Sequence, residues 1–343
     1  MQFRHDHLNE FKRHSQRGRC LHFDSGSRCN KIISAHSIQK SGQLALIVED
    51  GHVYRLSADA STLKKSNGTP QLRRIGVNRA STFLGFCKNH DNALFDQIDN
   101  YPLNSNKEQV ALYAYRCICR EYFVKENAVN VIDGMFHHVE LSSEQREFLR
   151  LIRIGHSRGF AGLQHHKKIY DATLQAKDYD SFEFTYFISK SPCSLQLSGL
   201  LYPDFDFLGE RLQDLGDWSS PLDLITFFTA PLQEGWAFGF AWHTSSNRTC
   251  IPFVQSLATL VSDNGCLEDA LLRLSLSCCE NHAIRISWWD SLAAEHQIGA
   301  LKRMHLMTHP TLTVPNRYLV SGCEKMANWT FEHLYTTLPS TAA

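Results

Sequence analysis

Four residues in the first hundred have the types and spacing to bind a soft divalent metal. Cys20 and Cys29 are separated by eight residues that include the turn-forming run Phe23-Asp24-Ser25-Gly26-Ser27. Cys87-Lys88-Asn89-His90 is a Cys-x-x-His pair at the start of an expected helix. Zinc takes thiolate sulfur and imidazole nitrogen in a tetrahedron, and a Cys-x-x-His turn offers two such donors side by side. Amide hydrogens at a helix start also favour the thiolate over the thiol. The first pair is wider than the roughly two to four residues usual in a zinc knuckle. Its neighbours are polar, however, and the competing reading of ordinary buried cysteines gives them no reason to be there. His22 is a further imidazole beside that pair, and Ser34-Ala35-His36-Ser37-Ile38 puts another on an expected strand.

These donors need elements to hold them. Leu44-Ala45-Leu46-Ile47-Val48 reads as a strand, with His52-Val53-Tyr54-Arg55-Leu56 as its hairpin partner across Asp50-Gly51. Lys64 to Gln71, with Asn67-Gly68 and Pro70, reads as an exposed loop. From Asn106 to about Asn127 the apolar positions fit a mostly buried helix. Ser142-Ser143-Glu144-Gln145 is an N-cap with an acidic first turn. A helix is expected from there to Ile154 and another from Leu163 to Gln175, with Gly155, Gly159 and Gly162 between or at their ends. After Asp180 the period changes to alternation. The segments 182–188 with 194–201, and 222–229 with 236–242, predict two antiparallel hairpins in one sheet. Helices are expected again at Leu267–Ser277 and Trp288–Met307.

Composition sets the class. With 43% hydrophobic and 20% charged residues, the 343-residue chain reads as globular and long enough for two domains. No apolar run is long enough to span a bilayer, and no secretory leader is evident, which predicts a cytoplasmic protein without a membrane partner. The 11 cysteines show no disulfide framework, so free thiols are expected. The net charge of zero conceals a division. Residues 1–90 carry 15 Lys/Arg against 6 Asp/Glu, and the remainder carries 20 against 29. A basic N-terminal part suits nucleic acid, with Lys64, Lys65, Arg73 and Arg74 as contacts, and the acidic body suits a protein partner.

The series Cys20…Cys29…Ala35-His36…Cys87-Lys88-Asn89-His90-Asp91 resembles the zinc-containing HNH endonucleases, a treble-clef or ββα-metal family. The resemblance covers the first hundred residues. It implies that Cys20, Cys29, Cys87 and His90 hold a structural Zn²⁺, that His36 is the general base, and that Asp91 is a ligand for a catalytic Mg²⁺ or Mn²⁺. Asn78 is the nearest match to the family's middle asparagine. Where the family has a metal-binding Asp, Glu or His this chain has Ala35, so the catalytic metal would rest on Asp91 and water or recruit His52 or Asp50. The expected fold is α+β, with a treble-clef/ββα-like zinc module over 1–105, a helical connector over 106–178 and an α/β body with an antiparallel sheet over 179–343. The expected function is an HNH-like metal-dependent nuclease or a degenerate nucleic-acid-binding relative, in a setting of bacterial defence against foreign DNA. The alternative is a non-catalytic, zinc-stabilised protein-interaction or regulatory protein. Nucleotide-binding glycine loops are missing from the sequence, and Asp204 and Asp206 read as turn residues.

Overall fold

The computed structural model describes residues 10–57, 60–66, 69–104, 106–136, 141–308 and 314–339, without the side chains of residues 60, 63, 64, 307 and 308. In chain order the elements are α1 (10–15), β1 (Ile32–His36), β2 (His52–Ser57), α2 (Ala60–Lys65), β3 (Gln71–Gly76), β4 (Thr82–Cys87), α3 (Lys88–Asp99), α4 (Lys107–Phe136) and α5 (Ser143–Ala176). They continue with β5 (Phe182–Ser189), β6 (Leu195–Leu201), β7 (Ile225–Pro231), β8 (Trp236–His243), α6 (Asn247–Ser262), α7 (Leu267–Cys278), β9 (His282–Ile284), α8 (Ile286–Ser291), α9 (Ala294–Thr308) and β10 (His333–Thr336). Helices and antiparallel strands are mixed along the chain, as expected of the α+β class. Among the described residues no helix is long and apolar enough to cross a membrane. The chain forms two compact units, one from residues Met1–Ala35, Phe83–Asp96 and Ile118–Asp178, the other from His36–Thr82, Gln97–Cys117 and Tyr179–Ala343.

The first unit contains all but one residue of each strand of the two-stranded β1–β4 sheet, the start of α3, the second part of α4, and α5. The capping box of Ser142 and Gln145 opens α5, and Lys177 in the left-handed region closes it. This helix runs unbroken through Gly155, Gly159 and Gly162, where two helices are expected from the sequence. Each glycine costs a helix about 1 kcal/mol relative to alanine. The buried stripe Leu163, His166, Lys167, Tyr170 and Leu174 recurs at helical spacing and outweighs that cost. Tyr122 of α4 packs on Phe160 at 5.0 Å between ring centroids.

The second unit is built on an eight-stranded antiparallel sheet of order β10-β5-β8-β7-β6-β9-β2-β3. In β8, Trp236, Phe238, Phe240 and Trp242 alternate with Ala237, Gly239 and Ala241. The large rings enter a core shared with Phe253 and Leu257 of α6 and Leu271 and Leu274 of α7. In β7, Phe228 stacks on Tyr113 of α4 at 4.7 Å.

Several expectations are corrected here. The β7–β8 hairpin forms, but β5 and β6 do not pair with each other and instead flank it. Three strand spacings are about 14 Å, within reach of a five-residue extended link. The link 190–194 is pinned by Trp236 Nε1 donating to Ser191 O at 3.0 Å. Gly235 makes the β7–β8 turn with φ +87°, and a Cβ there would overlap Ser189 O. Leu44–Leu46 is a 3-10 turn, not a strand, because the buried positions are Leu44 and Ile47, three apart. The Asp50-Gly51 turn does form, with φ 47° and 71°, but supports only a Glu49↔His52 bridge. The hairpin partner of β2 is β3. Lys64 and Lys65 belong to α2 and Gln71 to β3, so the expected 64–71 loop is shortened at both ends, with Ser66, Thr69 and Pro70 outside helix and strand. Asn67 and Gly68 lie outside the described residues. The expected 288–307 helix is split at Leu292, which is extended at ψ 143°.

Candidate metal centre

The site is assembled from a loop and a strand–helix junction, all within the first unit. Cys87 ends β4 and His90 lies in the first turn of α3, so one change of backbone direction supplies two donors. Lys88 N donates to Lys31 O and Ser37 N to Ser81 O, which makes β1 and β4 antiparallel. Cys20 and Cys29 bracket a run of turns in which Ser25 N donates to His22 O and Ser27 N to Asp24 O. Left-handed Gly26 and Arg28 tighten it.

The loop is tied down on three sides. Arg19 pairs with Glu126, donates to Asn127 Oδ1 at 3.2 Å and lies over the Phe123 ring at 4.4 Å. Arg19 N and Leu21 N donate to Leu84 O and Gly85 O on β4. Lys167 of α5, nine-tenths buried, donates to Leu21 O at 2.7 Å and to Asp171 at 2.6 and 2.8 Å. Asn30 and Asn89 exchange hydrogen bonds: Asn30 Nδ2 donates to Asn89 Oδ1 at 2.9 Å, and Asn89 N donates to Asn30 Oδ1 at 3.2 Å. Sequence reasoning missed this clasp. The only signal for it is an asparagine adjoining Cys29 and another inside the Cys-x-x-His pair.

The Cys20, Cys29 and Cys87 sulfurs and a His90 ring nitrogen lie within 4.8 Å of one another. His90 Nδ1 is 3.3 Å from Cys20 Sγ and 3.5 Å from Cys29 Sγ. Tetrahedral zinc, with bonds of about 2.3 Å to sulfur and 2.0 Å to nitrogen, sets that separation at about 3.5 Å. Gly26 N donates to Cys29 Sγ at 3.2 Å, the kind of amide bond that stabilises a thiolate. The residues therefore fit a metal that takes three sulfurs and a nitrogen.

Ionisation in the cluster is uneven. Burial pushes the Cys20 thiol up to about 11, against the amides of Cys87 and His22. Burial also opposes ionisation of Cys87, but the amides of His90 and Asn30 and the thiols of Cys20 and Cys29 outweigh it and bring Cys87 below its ordinary value. A bound cation deprotonates coordinating thiols outright and removes this difference. His22 does not join the cluster. It stacks on His90 at 4.1 Å, and its Nδ1 accepts from Asp24 N at 3.0 Å. Burial, then the neighbouring His90, lowers its pKa to about 4.

The other residues singled out in the sequence are placed as follows. His36 is half-buried in the second unit, with Nε2 donating to Val77 O at 3.3 Å, and burial lowers its pKa. Asn78 follows in an exposed turn. Asp91 is in the first turn of α3, in the first unit. His52 Nδ1 donates to the Asp50 carbonyl at 2.7 Å. Lys65 and Arg73 line one groove in the second unit, Arg74 is exposed on the opposite face of β3, and the Lys64 side chain lies outside the described residues. Asp204 and Asp206 serve turns: Asp206 Oδ1 accepts from Leu208 N and Glu210 N at 2.9 and 2.8 Å. All 11 cysteines are free thiols. Among the described residues no second group of three or more Cys, His, Asp or Glu draws its donor atoms together in this way. No family model, no curated protein and no solved structure matches the chain.

Proposed function

We propose that the first unit is a treble-clef-like zinc module, laid out as in the HNH endonucleases, and that the protein is a nucleic-acid-binding relative of them that does not cut. Cys20, Cys29 and Cys87 Sγ and His90 Nδ1 hold the zinc, which acts as a structural cross-link. The observation that carries this reading is the three-sulfur, one-nitrogen cluster at a strand–helix junction, beside a turn that supplies the first two donors. The charge division supports the partner, since the basic residues are concentrated in 1–90.

Two observations favour binding over cutting. Ala35, at the position of a family metal ligand, is 3% exposed and carries no donor. A catalytic metal would have to be completed with fewer than three protein ligands from the described residues. The test uses the purified full chain. Elemental analysis is expected to give one zinc per chain, and a labelled oligonucleotide is expected to bind with an affinity that falls steeply with salt. Absence of zinc, or binding indifferent to salt, would sink the reading. Phosphodiester cleavage in Mg²⁺ or Mn²⁺ that disappears in Asp91→Ala would restore the nuclease.

A further inference from the structure

The β3 end of the large sheet carries a groove that the sequence announces only in part. It lies between α2 and α9 over the first residues of β3, and all of its lining belongs to the second unit. Its volume is about 730 Å³, in the range of ligand sites, whereas the polar recess beside Cys20 measures only about 260 Å³. Three cations converge on it: Lys65 from α2, Arg73 from β3 and Lys302 from α9. Among the described residues no carboxylate lines it. The rest of the lining is hydroxyl and amide groups together with an apolar floor of Leu72, Ile298 and Leu301, and Ile298 is 53% exposed.

Two further features place the cations. Among the described residues β3 is the terminal strand of the sheet and pairs with β2, in a register that sets Arg55 directly opposite Arg73. Arg55 donates to Asn281 Oδ1 and His282 O, whereas Arg73 lines the groove. In addition, Lys302 belongs to the part of the chain where acidic residues outnumber basic ones, yet it is placed with two cations from the basic part.

We infer that this groove binds a segment of single-stranded nucleic acid, with phosphates on Lys65, Arg73 and Lys302 and a base against Leu72, Ile298 and Leu301. The inference rests on the nucleic-acid reading above and deepens it. A single strand is favoured over a duplex because only an unpaired base is free to lie on the apolar floor. Simple charge attraction needs no such floor.

The experiment measures binding of a labelled single-stranded 12-mer, the matching duplex and ATP to the full-length protein, by fluorescence anisotropy across a salt series. Lys302→Glu and Lys65→Glu are compared with the unaltered chain. Both side chains are exposed, and retained zinc content and circular dichroism verify folding. Each variant is expected to weaken single-strand binding on the order of tenfold and to flatten the slope of log affinity against log salt by about 0.7, the loss of one phosphate contact. Ile298→Asp is expected to weaken the single strand more than the duplex. If the unaltered chain binds but Lys302→Glu and Lys65→Glu bind equally well, the groove is overturned while the broader reading stands. If ATP binds as tightly as the 12-mer, the ligand is a free nucleotide and the inference fails. If neither oligonucleotide binds, both readings fall.

Discussion

Residues 24–31 of the first unit are all exposed, whereas residues 225–230 and 236–242 of the second are all buried. Both stretches have a definite conformation, so burial cannot be what shapes the first. Around Cys20 and Cys29 the chain is held by short turns, by the Asn30–Asn89 clasp and by Lys167. Each such bond is worth on the order of 1 kcal/mol net, too little to order an exposed loop against its conformational entropy. In β7 and β8 the aromatic rings do that work by leaving water. The difference teaches that four ligand atoms can replace a hydrophobic core only if something binds them all.

The largest expected effect follows. Chelation of zinc, or Cys87→Ser, is expected to remove on the order of 10 kcal/mol of apparent site free energy. Hydrogen exchange should then show lost protection in β4 and the start of α3, with β7 and β8 unchanged. Protection of β4 that survives chelation would end the contrast. Next is Phe240→Ala, in a fully buried ring 5.5 Å from Phe238 and 6.0 Å from Phe253. It is expected to cost about 3–5 kcal/mol by denaturant unfolding with zinc content unaltered. A fall in zinc content would show that the two regions are not held separately.

The smallest effect concerns pH. His282 is fully buried, its Nδ1 donates to Cys279 O at 2.6 Å, and its Nε2 has no partner among the described residues. Burial lowers its pKa to about 4 from 6.5. The folded protein therefore favours the neutral ring, and the unfolded chain binds the extra proton between those values. The stabilisation is complete above pH 6.5 and is lost as the pH falls towards 4, by about 3 kcal/mol. His282→Asn is expected to flatten the stability curve over that window, whatever its effect at pH 7. A variant as steep as the parent would remove His282 as the cause.

The cluster of Cys20, Cys29, Cys87 and His90 was legible in the sequence because metal binding demands particular residue types, and Cys20 and Cys29 stand out in polar surroundings. The α+β class followed from period and capping, as at Ser142. The order of the sheet was not legible. β5 and β6 read locally as a hairpin, and nothing near them announces that β7 and β8 come between. Leu44–Val48 misled because a short apolar run has no period of its own, and its i, i+3 burial appears only once neighbours are placed. The β3 groove was half visible: Lys65 and Arg73 are close in sequence, but Lys302 arrives through α9.

The place of β9 in the sheet has a consequence for synthesis. β2 and β3 are complete once residue 76 exists, but their neighbour β9 ends at residue 284, 208 residues later. At about 5–20 residues per second a ribosome takes roughly 10–40 s to cover that distance. A two-stranded ribbon is marginal in water, so the nascent chain exposes the edge of β2 for that interval. The four candidate metal donors, by contrast, are all present by residue 90. The order of emergence thus favours early closure of the proposed zinc site, while the hairpin that carries the groove waits longest for its neighbours.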